Sequence, residues 1–217
     1  MARTAAPVLE APPRLDLIQS ILASCSEQQR RLDARPAADG VVDRPRRTVK
    51  HTFNLTRYEL PELIDALGYK TGVEVGVNLG QFSYHLLKYS RLERLSSVDN
   101  YSGKYRKAMR CAQSYLSRFG GRSQLLVRES VDAAGAFPGQ ADFVYIDAAH
   151  DEASVTTDIQ AWRKIVRPGG MLAGHDYTGA HAGVMAAVDK FAAESGLPLF
   201  LTAELWATWM FFMPEAE

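Results

Sequence analysis

The residues of this 217-residue chain best suited to chemistry fall in two short stretches far apart. They are YIDAAHD at 145–151 and GHDY at 174–177. Each lies just past the expected end of a buried strand, read at Ala141 to Asp147 and at Met171 to Gly174. If those strands are neighbours, Asp147, His150, His175 and Asp176 converge on one pocket. Asp147 and Asp176 offer hard oxygen ligands of the kind Mg2+ prefers. His175 is a candidate third metal ligand, and an imidazole tilts the preference toward Mn2+ or another transition metal. Each aspartate taken singly also suits the cap of the following helix. Two acids with two histidines at adjacent strand ends point instead to a site.

A second chemical stretch is GVEVGVNLGQFS at 72–83. Its alternating valines read as a short buried strand, Gly76 to Gly80 as a tight turn, and Gln81 to Ser90 as a helix. Strand, glycine turn and helix form the first ligand-binding corner of an open α/β sheet. Dinucleotides want G-x-G-x-x-G there, with the middle glycine letting backbone approach a pyrophosphate. Here Asn78 holds that place, which argues against NAD and FAD and leaves room for an adenosine ligand without phosphates. Asp99 ends the next strand, LSSVD, about twenty residues beyond the turn, where an acid meets ribose hydroxyls. Asn100 adjoins it. Ser130 and Val131, just after the strand SQLLVR at 123–128, are candidates to hold an adenine ring.

The elements that position these groups read in order. Residues 1–13 form an Ala/Pro-rich arm. Apolar residues at Leu15, Ile18, Leu22 and Cys25 are at helical spacing over 14–32, a helix suited to docking on the main domain or on a second copy of the chain. Residues 33–48 are a linker by composition. Thr52 to Gly68 is expected to hold a helix, as are Lys104 to Phe119, the stretch after Asp151, and His181 to Ser195. Residues 129–132 read as a loop, and Arg167 to Gly170 as the end of a helix. Leu199–Leu201 and Leu205–Met213 read as a last pair of strands. The chain thus divides into an arm, helix and linker at 1–48 and a main domain at 49–217.

Composition excludes several classes. Formal net charge is +0, so nothing global recruits nucleic acid or an acidic membrane. Two cysteines, Cys25 and Cys111, make no disulfide framework and suit a reducing cytoplasm. No apolar run approaches membrane-spanning length.

The pattern E-x-G-x-x-x-G, carried by Glu74, Gly76 and Gly80, together with DFVYIDAAHD…DIQAW…VRPGGMLAGHDY, resembles class I S-adenosylmethionine (SAM)-dependent methyltransferases. The likeness covers roughly residues 70–213. It is strongest to the bacterial metal-dependent O-methyltransferases of sugars and small hydroxyl compounds, enzymes of methylmannose polysaccharide synthesis among them. The resemblance implies a Rossmann-like, doubly wound α/β sheet of seven strands, order 3-2-1-4-5-7-6, last strand antiparallel, with helices on both faces and an N-terminal helical extension. It implies SAM bound by Glu74, Gly76, Asn78, Gly80, Asp99, Asn100, Ser130, Val131 and Asp147. A divalent metal, Mg2+ or Mn2+, falls to Asp147, His175 and Asp176, although relatives usually carry Asp where this chain has His175. His150 holds the place of a base three residues beyond the first acid; Ala149 fills the place where the antibiotic-sugar group has an acid. Tyr101, Tyr177 and His181 lie near the same strand ends and are candidates for an acceptor pocket. The implied reaction is methyl transfer to a sugar hydroxyl, such as the 1-OH of a methylated mannoside. A phenolic or antibiotic-type acceptor, or a non-catalytic adenosine-ligand module, are the alternatives. The helix at 14–32 points to a homodimer and the two cysteines to the cytoplasm, with a small-molecule or oligosaccharide acceptor and no nucleic acid or membrane partner.

Overall fold

Alternation along one strand sets the architecture. In β2 (Thr71–Val75), Val73 and Val75 enter the apolar cluster shared with the last three helices. Glu74, pointing the other way, is bound by Ser83 of the helix that follows the turn. Side chains that alternate in this way need cover on both faces of the sheet. The computed structural model describes residues 50–215 and supplies that cover. Helices α1 (Leu60–Ala66), α2 (Gln81–Tyr89) and α3 (Ala108–Leu116) pack in succession, as do α4 (Ser130–Gly135), α5 (Glu152–Trp162) and α6 (Ala182–Ser195).

The other strands are β1 (Lys50–Phe53), β3 (Arg94–Asp99), β4 (Ser123–Val127), β5 (Ala141–Ile146), β6 (Val166–Tyr177), β7 (Leu199–Thr202) and β8 (Ala207–Phe212). The sheet order is β1-β7-β8-β6-β5-β2-β3-β4. β8 runs antiparallel to both of its neighbours. The sheet therefore has eight strands where seven are expected. The additional strand pairs in parallel with β7 at the edge, where His51 and Phe53 stack on Phe200. The helix expected over 52–68 accordingly shrinks. Thr52 and Phe53 belong to β1, and residues 57–59 form a 3-10 turn before α1. Three other expectations shift. The helix expected over 104–119 is a helix of nine residues between two 3-10 turns, the second holding Gly120 at φ +54°. The expected loop at 129–132 already starts α4 at Ser130. Residues 167–170 lie inside β6, which runs on through His175 and Asp176.

β2 sits between β3 and β5, and β5 between β2 and β6. The ends of these four strands gather the glycine turn, Asp99, Asp147 and the histidine–aspartate stretch on one side of the sheet. Among the described residues, no helix is long and apolar enough to cross a membrane. The helix at 14–32, the linker and any dimer contact they make lie outside the described residues, as does Cys25. Cys111 is a free, exposed thiol.

Candidate active site

The turn after β2 is built by close approach. Gly76 has φ +91°, and a Cβ there would collide with the Asp147 backbone carbonyl. Gly80 has φ +81° and caps α2; its missing Cβ lets the turn lie against Ala112 of α3. Gly80 thus serves packing and is not among the residues lining the cleft. Asn78 has φ +48°, a left-handed conformation that asparagine tolerates. Its N–H donates to Asp99 Oδ2 at 2.8 Å, and Tyr101 N–H donates to Asp99 Oδ1 at 2.8 Å. The Asn78 amide is thus used by a carboxylate rather than left for a phosphate. Each Asp99 oxygen keeps a lone pair for a ribose hydroxyl.

A cleft of about 1030 Å3 opens over these strand ends. It sits at the upper end of the roughly 300–1,000 Å3 typical of ligand sites, room for a nucleoside and a second ligand. Glu74, Gly76, Asn78, Asp99, Asn100, Ser130, Val131, Asp147, His150 and Asp176 all line it. Ser130 Oγ donates to Asp158 at 2.5 Å and accepts from Trp162 Nε1 at 2.9 Å, which pins the start of α4 to α5. Asn100 Nδ2 donates to Glu129 at 3.1 Å. Glu74 lies at the floor, 1% exposed. Burial lifts its carboxyl to about 8, against the lowering effect of the Ser83 hydrogen bond.

Asp176 is the centre of the polar cluster. Its Oδ1 is 2.8 Å from His175 Nδ1 and its Oδ2 is 2.8 Å from His150 Nε2. A carboxylate can only accept, so each ring nitrogen facing it carries hydrogen. That assignment leaves Nδ1 as the basic nitrogen of a neutral His150. Burial alone would raise the Asp176 carboxyl, but the His175 hydrogen bond and the neighbouring imidazoles hold it below its ordinary range. The residue is held at φ +62°, a strained backbone of the kind concentrated at functional sites. Asp147 Oδ2 lies 3.9 Å from His175 Nδ1. His181 stacks on His150 with ring centroids 3.9 Å apart, and Trp206 stands 5.1 Å from His181. Asp147, His175 and Asp176 each offer a ligand atom within 4.8 Å of the others, as do His150, Asp176 and His181. Oxygen and imidazole donors of this kind suit a divalent cation only once His175 Nδ1 has given up the hydrogen it shares with Asp176.

Two tyrosines expected near the acceptor do not reach it. Tyr101 turns inward at φ +47° and is buried, its hydroxyl without a partner among the described residues. Tyr177 OH accepts from Lys50 Nζ at 2.5 Å and donates to Asp189 at 2.8 Å, so it ties β1 to α6. Neither lines the cleft; His175 and His181 do not line it either, but they touch its lining residues Asp176 and His150. Sequence reasoning also missed Arg57 and Asp158, both lining residues. Arg57 Nη2 is 3.1 Å from Asp147 Oδ2, and its Cζ lies 4.1 Å from the Phe82 ring centroid. A lone arginine in TRYE carries no local signal; only the fold brings it beside Asp147.

Comparison with known proteins agrees with this geometry. Residues 73–177 match a family profile described as a methyltransferase domain. No curated protein matches the chain by sequence. Among solved structures, a candidate caffeoyl-CoA O-methyltransferase of Staphylococcus aureus superposes with a TM-score of 0.62 at 13% identity, over 91% of this chain and 96% of that one. An O-methyltransferase family protein of Burkholderia thailandensis gives 0.56 at 16% identity, over 74% of this chain but only 58% of that one. A candidate methyltransferase of Streptococcus mutans solved with S-adenosylhomocysteine (SAH) gives 0.53 at 15% identity, covering 66% and 88%. At such identities the structural likeness is one of fold. Fold and matched domain together define a SAM-dependent methyltransferase. The matched stretch runs from the glycine-turn strand to the end of GHDY, so it contains Asp99, Asp147, His150 and Asp176.

Proposed function

We propose that the chain is an O-methyltransferase acting on a sugar hydroxyl, with a divalent metal held by Asp147, His175 and Asp176 and with His150 as general base. The observation that carries this reading is the Asp176 carboxylate set between two imidazoles, 2.8 Å from each, at the end of the strand beside Asp147. Solved relatives of the same fold described as O-methyltransferases support the choice of oxygen. When bound, SAM supplies a methyl group on an activating sulfonium and the cation supplies positive charge for a developing oxyanion. The chain's own residues do the rest. Asp99 receives the ribose hydroxyls and fixes the donor's register. Asp176 holds the His150 ring so that Nδ1 faces outward to take the hydroxyl proton. Trp206, exposed beside His181 at the edge of the polar cluster, offers a flat face against which a sugar ring or a phenol can lie. Alignment of this kind contributes about 7–11 kcal/mol in favourable systems.

The acceptor in this reading is a small molecule or oligosaccharide, handled by a homodimer in the cytoplasm, with no nucleic acid or membrane involved. The balanced net charge supports the last point. The test is transfer of labelled methyl from SAM to a panel of sugars and phenols, with Mg2+ or Mn2+ and after chelation. Methylation of sugars that stops on chelation is the expected result. Methylated phenols alone would reassign the acceptor. Full activity after thorough metal removal would remove the metal. SAM binding without transfer to any hydroxyl would favour a non-catalytic role.

A further inference from the structure

The cleft contains a cation whose hydrogen-bonding capacity is only partly used. The Arg57 side chain is 16% exposed. Its Nη2 pairs with Asp147 at 3.1 Å, and its plane packs 4.1 Å from the Phe82 ring and 5.7 Å from the Tyr145 ring. Its Nε–H is buried and meets no acceptor among the described residues. A buried guanidinium N–H without a partner is costly, and five fixed donors match a carboxylate in a forked, two-point geometry. The backbone that carries this side chain is held in place. Thr56 N–H donates to Glu59 at 2.6 Å to shape the 3-10 turn, and Arg57 N–H donates to Glu204 of the β7–β8 hairpin at 2.7 Å.

Topology then decides what reaches it. β3 and β5 flank β2, so Asp99 and Asp147 lie on either side of the glycine turn. With the base beside Ser130 and Val131 past the end of β4 and the ribose on Asp99, the 5′ substituent runs across the turn toward Asp147, and so toward Arg57. For SAM that substituent ends in an amino acid. Glu74, held largely neutral at pH 7 by burial, does not compete for the guanidinium.

We propose that Arg57 receives the α-carboxylate of the methyl donor, as a donor-binding residue outside the matched methyltransferase segment. The proposal rests on the donor reading of the cleft. It makes Arg57 the residue that distinguishes SAM from adenosine analogues lacking the acid.

The experiment is equilibrium binding by calorimetry of SAM, decarboxylated SAM and 5′-methylthioadenosine to the full chain and to Arg57→Met and Arg57→Lys. The wild-type chain is expected to prefer SAM over its decarboxylated form by about 10- to 100-fold, the range for a charge-assisted hydrogen-bonded pair. Arg57→Met is expected to lose that preference while binding methylthioadenosine as the wild type does, with Arg57→Lys between them. Equal binding of both SAM forms by the wild type overturns the proposal without any variant having to fold. So does a preference that survives in Arg57→Met. Unchanged SAM binding in Arg57→Met with weakened affinity for an acidic acceptor assigns the carboxylate to the acceptor and overturns it equally. Loss of all three ligands from the wild type would instead remove the donor reading on which the proposal stands.

Discussion

Asp176 Oδ2 meets His150 Nε2 at 2.8 Å across the ends of two adjacent parallel strands. This contact orients one ring nitrogen toward the carboxylate and leaves the other as the proposed base. Asp176→Asn keeps the shape but can present an N–H to the ring, favouring the opposite tautomer. It is expected to lower turnover roughly 10²- to 10⁴-fold, as loss of a positioned base does, with SAM affinity unchanged. His150→Ala should also fall steeply, and the double variant should lose less than the product of the two losses, because the positioning of the base is lost only once. Losses that multiply in the double variant would show that the pair does not work together.

Asp99 is expected to govern donor affinity alone. Asp99→Ala removes the acceptor of the ribose hydroxyls and also frees the Asn78 and Tyr101 amides. SAM and SAH binding by calorimetry should weaken by about 10- to 100-fold. Adenine, which has no ribose, should bind both proteins alike if the fold is intact; a parallel loss of adenine would assign Asp99 a purely structural role.

Asp147 is shared between Arg57 and the proposed cation. Under saturating SAM, activation by added Mg2+ or Mn2+ should be strong in the wild type and absent in Asp147→Ala. A metal titration curve that is the same for both proteins would place the cation elsewhere.

Glu74 makes the fold sensitive to pH. Burial raises its folded-state carboxyl from the ordinary 4.5 to about 8. A group raised in this way contributes its full stability below its unfolded value and loses it as pH climbs through the folded value. Stability should therefore decline between about pH 4.5 and about pH 8, by on the order of 5 kcal/mol from this group. Glu74→Gln stays neutral throughout. Guanidinium unfolding at pH 5 and pH 8 should show it gaining on the wild type as pH rises. Parallel pH profiles would mean that Glu74 ionises normally.

Gly76→Ala tests the close approach of turn and β5. The residue must hold φ +91° with a Cβ against the Asp147 carbonyl. A cost of about 3 kcal/mol or more is expected, read as a lower denaturation midpoint. An unchanged midpoint would mean that the turn can move away from β5 freely.

Much of the site was legible because its residues announce themselves through backbone chemistry. Gly76 marks the turn, Asp99 ends a strand, and Asp147 and Asp176 follow long apolar runs. Tyr101 and Tyr177 misled because closeness in sequence to a strand end does not say which way a side chain turns; positive φ at Tyr101 sends it inward, and Lys50 and Asp189 hold Tyr177 elsewhere. β1 was hidden because KHTF is short and half polar, and its partner lies far along the chain. Arg57 and Asp158 are single charged residues in ordinary helical or turn contexts, and only tertiary contacts give them a role.

The pairing of Lys50–Phe53 with Leu199–Thr202 also orders events on the ribosome. The nascent chain can align β3, β4 and β5 as each emerges, since each pairs with β2 or β3, already made. β1 must wait until Leu199–Thr202 has been made, and β6 gains its antiparallel neighbour β8 later still. Long-range closure of this kind is slow to form. The Glu204 hairpin that anchors the Arg57 backbone therefore arrives only after the strands that frame the cleft.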